Sequence, residues 1–185
     1  MAGPAAERRL VVLDRDGVIN ADSDDYIKSP DEWHPLPGSL EAIARLCRAG
    51  YDVVVATNQS GVGRGLFSIE TLDAIHARMR EAVAAAGGRI AGIYYCPHRP
   101  DDGCECRKPA TGLLRRIAAD FERPLDGVPL VGDKLTDMQA ALAAGARPVF
   151  VGTPRDDAVR ARLAELGVEV HRDLSSAVDA LLSRR

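Results

Sequence analysis

Two aspartates one residue apart, Asp14 and Asp16, directly follow an apolar, β-branched run and precede a glycine. The run at residues 10–13 predicts a short buried strand, which would place both carboxylates at its carboxyl end, where open α/β sheets build their ligand sites. Because side chains alternate along a strand, both carboxylates should leave the same face. Two carboxylates so close together repel each other unless a cation compensates them, so the pair indicates a divalent metal.

Three further groups that suit phosphate chemistry follow predicted strands or precede predicted helices. Residues 57–61, Thr-Asn-Gln-Ser-Gly, offer a hydroxyl and amide donors to an anion without adding charge. Lys108 supplies a fixed cation, and Asp133 supplies a third carboxylate at the end of another strand. Each group alone has an ordinary explanation as a turn, a solvated side chain or a helix cap. All of them lie at a strand end or before a helix, and this order along the chain favours a shared catalytic site over separate structural roles.

A polar loop at residues 96–109 carries three cysteines and one histidine with metal-ligand spacing. These four residues are Cys96, His98, Cys104 and Cys106. Three thiolates and one imidazole predict a closed tetrahedral Zn²⁺ site, and a site filled by four protein ligands is structural rather than catalytic. Its expected role is to fold the loop and to hold Arg107 and Lys108 in place. The fourth cysteine, Cys47, falls on the apolar stripe of a predicted helix and is expected in the core.

Apolar β-rich runs alternate with helical patterns along the chain. The predicted strands are residues 10–13, 53–56, 93–95, 130–131, 149–151 and 168–170. The predicted helices between them have N-caps at Ser39, Ser68, Thr111 and Thr136, and residues 172–185 predict a closing helix. This alternation predicts an α/β fold, a Rossmann-like three-layer sandwich with a parallel central sheet. Residues 17–37, a long polar insertion, and the loop 96–109 should emerge near the catalytic edge.

The composition restricts the classes of function. The chain has 185 residues, which suits one domain over residues 1–185, and 24 basic against 27 acidic side chains give a net charge of −3. No basic patch suggests nucleic acid, and no apolar run is long enough for a bilayer, so neither partner is expected. Residues 1–4 do not begin like a signal peptide. The cysteine pattern suits a reducing cytoplasm and metal binding rather than disulfides.

The order of the four motifs, over residues 10–152, resembles the haloacid dehalogenase-like phosphatase superfamily. The resemblance implies that Asp14 attacks phosphorus to form an aspartyl-phosphate, while Asp16 protonates the leaving oxygen and then activates water. It implies Mg²⁺ binding by Asp14, Asp133 and the backbone carbonyl of Asp16, and stabilisation of the phosphoryl charge by Thr57 and Lys108. An acid at position 16 also implies hydrolysis rather than a long-lived phosphoenzyme.

The cysteine loop resembles two branches of that superfamily, the heptose-bisphosphate phosphatases and the histidinol-phosphate phosphatases, both without a large cap domain. Ser-Gly-x-x-Arg-Gly at residues 60–65 and Lys134 after Asp133 resemble the heptose branch. That branch implies a sugar bisphosphate substrate whose C7 phosphate is removed during the supply of nucleotide-activated heptose, and a monomer. The implied substrate-binding residues are Asp22, Ser23, Asp24, Asp25, Asn58, Gln59, Ser60, Arg64, Arg107 and Lys134. Residues 22–25 have an equal interpretation as a solvated acidic turn, and Arg64 as a solvated side chain.

Three classes of function remain to be compared. A sugar-phosphate phosphatase accounts for every strand-end motif and for the cysteine loop. A phosphatase of histidinol phosphate or of a nucleic-acid 3′ end would use the same centre, although the acidic net charge disfavours the latter. A non-enzymatic zinc module would leave Asp14, Asp16, Lys108 and Asp133 without a role. The sequence leaves open the preferred anomer at C1 and the role of Asp137.

Overall fold

Six parallel strands form one sheet in the computed structural model, which describes residues 8–184. The strands are β1 (Arg9–Leu13), β2 (Tyr51–Asn58), β3 (Ile90–Cys96), β4 (Pro129–Gly132), β5 (Arg147–Val151) and β6 (Glu169–His171). Their spatial order is β3-β2-β1-β4-β5-β6. Residues 1–4, which are not expected to begin a signal peptide, lie outside the described residues. So does residue 185, the last residue of the predicted closing helix.

The order of the strands reverses direction at β1, which pairs with β2 on one side and with β4 on the other. In open parallel sheets the crevice at such a switch point is where ligands bind. The backbone N–H of Asp14 donates to the carbonyl of Val131 at 2.8 Å, which ties the ends of β1 and β4 together. The predicted site residues after these two strands are therefore neighbours.

Helices cover both faces of the sheet, which confirms the three-layer parallel sandwich. Their bounds are α1 (Ser39–Arg48), α2 (Ser60–Gly63), α3 (Ile69–Ala85), α4 (Gly112–Asp120), α5 (Leu135–Ala143), α6 (Asp157–Glu165) and α7 (Leu174–Ser183), with short 3₁₀ turns at Pro30–Glu32 and Pro100–Asp102. Buried side chains of α1, α3 and α7 form one core, and those of α4, α5 and α6 form the other. Within residues 8–184 no helix combines the length and apolar character needed to cross a membrane.

The alternation of side chains along β1 explains why its apolar run is unbroken. Val11 and Leu13 enter the core under α1, α3 and α7, whereas Leu10 and Val12 enter the core under α4, α5 and α6. A strand buried on both faces needs apolar residues at every position. The run therefore ends where the strand reaches the sheet edge, and polar side chains begin there.

Two of the predicted helix N-caps are wrong. Helix α1 begins at Ser39 itself, its N-cap is Gly38 with φ of 77°, and the Ser39 hydroxyl donates to the Ile19 carbonyl at 2.7 Å. Helix α5 begins at Leu135, so its N-cap is Lys134 rather than Thr136. In both cases a polar side chain near the helix start resembles a cap but does not act as one. The Ser39 hydroxyl contacts Ile19 in the insertion instead, and at α5 the Asp137 carboxylate accepts the hydrogen bond from the N–H of Lys134. Ser68 is confirmed as an N-cap, with its hydroxyl accepting from the N–H of Thr71.

Helix α6 was not predicted, because it carries little apolar patterning. Leu163 is its one buried residue within the described chain. Its start is set locally instead, since the Asp156 carboxylate accepts a hydrogen bond from the N–H of Val159 at 2.8 Å. The predicted N-cap Thr111 does precede α4, although its side chain makes no capping hydrogen bond.

The insertion at residues 17–37, predicted as a long polar segment, has apolar side chains buried in the core. Val18, Ile19, Ile27 and Trp33 are buried in the same core as α1 and α3. The backbone N–H of Leu36 donates to the Ile19 carbonyl at 2.9 Å, which closes the segment on itself. Apolar anchors and internal hydrogen bonds therefore hold the insertion over the end of β1.

Replacement of Ile19 by alanine tests this anchoring. Ile19 has no exposed surface, so Ile19→Ala should lower the free energy of unfolding by about 2–5 kcal/mol in urea denaturation. The matched control is Ile69→Ala, because Ile69 is 46% exposed and should change stability by less than about 0.5 kcal/mol. Equal losses in both variants would contradict the proposed anchoring.

Candidate active site

The Lys108 ammonium lies at the centre of the site and has three acceptors. Its Nζ is 3.0 Å from Oδ1 of Asp14, 2.7 Å from Oδ1 of Asp137 and 2.7 Å from the carbonyl oxygen of Ala56. Both carboxylates and the lysine are buried. Burial of an unpaired ammonium would be strongly unfavourable, so the two carboxylates fix its position as well as its charge.

Asn58 holds the backbone of Lys108 from the end of β2. Its side-chain amide donates to the Lys108 carbonyl at 3.1 Å, and its Oδ1 accepts from the Lys108 N–H at 3.0 Å. Asn58 thus fixes the start of the segment that leads into α4. The structure gives this predicted substrate contact a second role, as an anchor for the lysine.

Asp14, Asp133 and Asp137 bring carboxylate oxygens within 4.8 Å of one another. Oδ1 of Asp133 is buried without a hydrogen-bond partner among the described residues. A buried acceptor without a donor is unfavourable, and a hard cation prefers carboxylate oxygens. The donor set therefore fits Mg²⁺. The side chain of Asp16 lies outside this cluster, so the contribution of its backbone carbonyl stays a prediction.

The carboxylates of this cluster have raised pKa values. Burial raises the pKa of Asp14 to about 6, with further increases from Asp137 and Asp16 and an opposing effect from Lys108. Burial and the charge of Asp14 raise the pKa of Asp133 to about 7. Both shifts are expected where carboxylates outnumber the cations beside them, and a bound divalent ion would reverse them.

Asp16 has the opposite electrostatic environment. Its Oδ1 accepts from Arg15 Nε at 3.0 Å and from Asn20 Nδ2 at 2.9 Å, while its Oδ2 accepts from Arg15 Nη2 at 3.1 Å and from Gln59 Nε2 at 2.8 Å. Burial would raise the pKa of Asp16, but the Arg15 charge and these hydrogen bonds outweigh burial and lower it. The two neighbouring aspartates are thereby made chemically different.

Gln59 also contacts Thr57, at the end of β2. Its Nε2 donates to the Thr57 hydroxyl oxygen at 2.8 Å. Because that oxygen accepts from Gln59, its own proton is available to another acceptor. Thr57 is buried at the sheet edge, where it suits a donor to phosphate.

A cavity of about 780 Å³ opens above these groups. Of the predicted catalytic and substrate-binding residues, ten line it: Asp16, Asp22, Ser23, Asp24, Asn58, Gln59, Ser60, Arg107, Lys108 and Lys134. The predicted zinc ligand Cys104 lines it as well. Asp25 and Arg64 are exposed and do not line it. The Lys134 ammonium is 2.9 Å from Oδ2 of Asp22, which joins the insertion to the start of α5.

The four predicted zinc ligands lie together beside the cavity. Cys106 Sγ is 3.1 Å from Cys96 Sγ and 3.2 Å from His98 Nδ1, and Cys104 Sγ is 3.6 Å from both other sulfurs. Ligands about 2.3 Å from a tetrahedral ion are separated by about 3.8 Å, so the cluster fits a metal of that size. Cys47 lies apart, against the backbone of Arg89 and partly within the core, as expected.

Comparison with known proteins adds independent observations. The family model described as "HAD-hyrolase-like" matches residues 105–177. A heptose-bisphosphate phosphatase of Pseudomonas aeruginosa, D-glycero-beta-D-manno-heptose-1,7-bisphosphate 7-phosphatase, is 51% identical over 175 residues, or 95% of this chain and 98% of the relative. The enzyme of the same name from Bordetella bronchiseptica is 53% identical over 176 residues, or 94% and 98% of the two chains.

The chain belongs to the D-glycero-beta-D-manno-heptose-1,7-bisphosphate 7-phosphatase family. It is therefore a phosphoric monoester hydrolase with the HAD-like fold. The crystal structure of the B. bronchiseptica D,D-heptose 1,7-bisphosphate phosphatase, complexed with magnesium and phosphate, matches with a TM-score of 0.89 at 51% identity and covers 96% of this chain and 99% of that chain. The enzyme from Burkholderia thailandensis matches with a TM-score of 0.71 at 46% identity, covering 96% and 100% of the two chains.

The sequence analysis missed three residues of this phosphatase site, Arg15, Asn20 and His76, and left the role of Asp137 open. Asp137 is part of the Gly-Asp-x-x-x-Asp motif, and only its role was undetermined. His76 gave a signal, since it falls on the apolar stripe of α3 between Leu72 and Val83. Arg15 and Asn20 gave none, because burial of a polar side chain depends on partners distant in sequence.

The raised pKa of Asp133 predicts how the magnesium-free phosphatase responds to pH. The pKa of Asp133 is about 7 in the folded protein and 3.8 in the unfolded chain, so the folded state binds the proton more tightly. The contribution of this proton to the free energy of unfolding is fully present below pH 3.8 and is lost as the pH rises through about 7. Asp133→Asn cannot ionise, so its melting temperature should rise relative to that of the unmodified protein between about pH 4 and 7. Thermal melts in magnesium-free buffer measure this difference. A difference constant over that range would contradict the raised pKa.

Proposed function

We propose that this phosphatase removes the C7 phosphate of D-glycero-β-D-manno-heptose 1,7-bisphosphate and releases heptose 1-phosphate. The observation that carries the proposal is the position of Arg107 and Lys134. Both line the cavity whose floor contains Lys108, which contacts Asp14. A substrate with one phosphate at Asp14 and a second within the cavity would bring its second charge to these two cations. The two relatives from P. aeruginosa and B. bronchiseptica are named for the β anomer, which supports that anomer here.

In the proposed reaction, Asp14 is the nucleophile. Its carboxylate oxygen bonds to phosphorus as the bond from phosphorus to the C7 oxygen breaks, which gives an aspartyl-phosphate and the sugar alcohol. Lys108, 3.0 Å from Asp14, and the Thr57 hydroxyl stabilise the charge on the phosphoryl oxygens. Water then attacks the same phosphorus and restores Asp14. Asp137, at 2.7 Å from Lys108, holds the ammonium in place through both steps.

Asp16 is the proposed proton carrier. It gives a proton to the leaving C7 oxygen in the first step and takes one from the attacking water in the second. Its four hydrogen bonds keep it ionised before substrate binds. A phosphate dianion beside it would raise its proton affinity by like-charge repulsion, so Asp16 takes up a proton from solvent as substrate binds and can then give it to the C7 oxygen.

Asp14, Asp133 and the backbone carbonyl of Asp16 would hold Mg²⁺. When bound, the ion neutralises the carboxylates and the incoming phosphate. The unpartnered Oδ1 of Asp133 supports this assignment, as does the magnesium in the B. bronchiseptica structure. We also propose that the protein acts in the cytoplasm in the supply of nucleotide-activated heptose for lipopolysaccharide, and that it is a monomer, as the family resemblance implies.

The decisive experiment compares phosphate release with Mg²⁺ from both heptose 1,7-bisphosphate anomers and from histidinol phosphate. We expect kcat/KM for the β anomer to exceed that for histidinol phosphate by about a hundredfold or more, or about 2.7 kcal/mol. Asp14→Asn should lower turnover by more than about a thousandfold while the thermal melt stays cooperative. A preference for histidinol phosphate would overturn the substrate, and full activity of Asp14→Asn would overturn the mechanism.

The cysteine cluster is proposed to hold one structural Zn²⁺. The four ligand atoms all lie within 4.8 Å of one another, and five of their six separations are 3.1–3.6 Å. Arg107 follows Cys106 directly and donates to the carbonyl of His98. The ion would therefore fix the position of a cation that the second phosphate needs. This role explains why a site filled by protein ligands lies beside the catalytic cavity.

Metal analysis of two cysteine variants tests this assignment. The unmodified protein should hold about one Zn²⁺ per chain, and Cys106→Ser should lose it together with much of its thermal stability. Cys47→Ser is the matched control and should keep the ion, because Cys47 lies outside the cluster. Atomic absorption gives the stoichiometry. Equal zinc content in all three proteins would exclude the cluster as the site.

A further inference from the structure

Arg15 is the largest side chain that the fold buries completely, with 1% of its surface exposed. Its Nε and Nη2 hold the two oxygens of Asp16, and Nη2 also donates to Oε1 of Gln59 at 3.1 Å. Gln59 in turn donates to Asp16 and Thr57. The orientation of one guanidinium therefore determines where three groups of the site lie.

His76 meets the remaining end of this guanidinium. Its Nε2 is 3.4 Å from Arg15 Nη1, and within residues 8–184 it is the one hydrogen-bond partner of that nitrogen. His76 comes from α3, and its ring lies 5.8 Å from the ring of Tyr95 on β3. Helix and sheet thus fix the imidazole independently of the loop that carries Arg15.

The imidazole is uncharged near neutral pH. Burial and the positive charge of Arg15 lower the pKa of His76 to about 3. A neutral ring offers one nitrogen as an acceptor, and contact with a guanidinium requires that this be Nε2, so Nδ1 carries the proton. An acceptor is what Nη1 of a buried arginine needs.

We propose that His76 is a positioning residue that orients Arg15, and through Arg15 the carboxylate of Asp16, for proton transfer to the leaving group. The inference rests on the proposed acid role of Asp16. His76 itself touches neither the cavity above Asp16 nor the acidic cluster. Without its acceptor, Nη1 would seek another partner, the guanidinium would rotate, and Asp16 would lose its fixed direction.

Leaving-group dependence separates this role from general damage to the structure. An alkyl phosphate such as heptose 1,7-bisphosphate leaves as an alkoxide that needs a proton, whereas p-nitrophenyl phosphate leaves as a stable phenolate that needs none. A misplaced Asp16 should therefore lower kcat/KM for the first substrate and spare kcat/KM for the second. The attack of water on the aspartyl-phosphate also uses Asp16 and is common to both substrates, but it follows departure of the leaving group and does not enter kcat/KM. A distorted active site would slow both equally.

Three substitutions of His76 should be compared by kcat/KM on both substrates. His76→Gln places an amide acceptor near the position of Nε2, whereas His76→Asn is as polar but too short, and His76→Leu is apolar. We expect Asn and Leu to lower kcat/KM for heptose 1,7-bisphosphate by roughly tenfold to a hundredfold, with p-nitrophenyl phosphate changed less than about twofold. The Gln variant should stay within about threefold of the unmodified enzyme on both.

Controls distinguish failure of this inference from failure of the proposed function. Met79→Leu, a fully buried change on the same helix, should leave both activities unaltered. Asp16→Asn should show the same leaving-group dependence in stronger form. If Asp16→Asn shows it and the His76 variants do not, or if Asn rescues as well as Gln, the positioning role is overturned. If Asp16→Asn itself lacks it, the proposed acid is overturned.

Discussion

The rest of the site depends on the buried ammonium of Lys108, which is shared by Asp14, Asp137 and the Ala56 carbonyl. These contacts join groups from four places in the chain: the end of β1, strand β2, the start of α5 and the segment before α4. One ammonium cannot balance the three carboxylates of the acidic cluster, since Asp133 is also present. Burial, together with this surplus negative charge, raises the pKa values of Asp14 and Asp133, and the same surplus makes the cluster suited to a cation.

The sheet makes this arrangement rigid. Because β1 pairs with β2 and β4, the residues after three parallel strands meet at one edge, and apolar layers on both faces fix the strands. Lys108 has no strand of its own, and its backbone is held instead by the Asn58 amide. The zinc ion proposed for the cysteine cluster would fix the loop just before it. The proposed catalytic side chains are thus positioned by packing or by paired hydrogen bonds.

Two aspartates one residue apart have pKa values shifted in opposite directions by their surroundings. Asp14 lies among carboxylates and has a raised pKa, whereas Asp16 lies against Arg15 and has a lowered one. The difference depends on which way each side chain turns at the end of β1. Arg15, between them in sequence, turns inward to a fully buried position and meets His76 from α3. A buried polar network of this kind requires that every member find a partner.

The parallel α/β sandwich, the four motifs of the site and the cysteine set could all be predicted from the sequence. They depend on local periodicity and on residue type at fixed spacing, which a single sequence displays. Segment bounds were less accurate, as at β3 and at the start of α5, since neighbours in space extend a strand or displace a cap. Only the tertiary structure decided that Asp137 pairs with Lys108, that the insertion is anchored by Ile19 and Trp33, and that Arg15 is buried. These features depend on contacts between side chains that are distant in sequence, and the residues around each position give no local signal of such contacts.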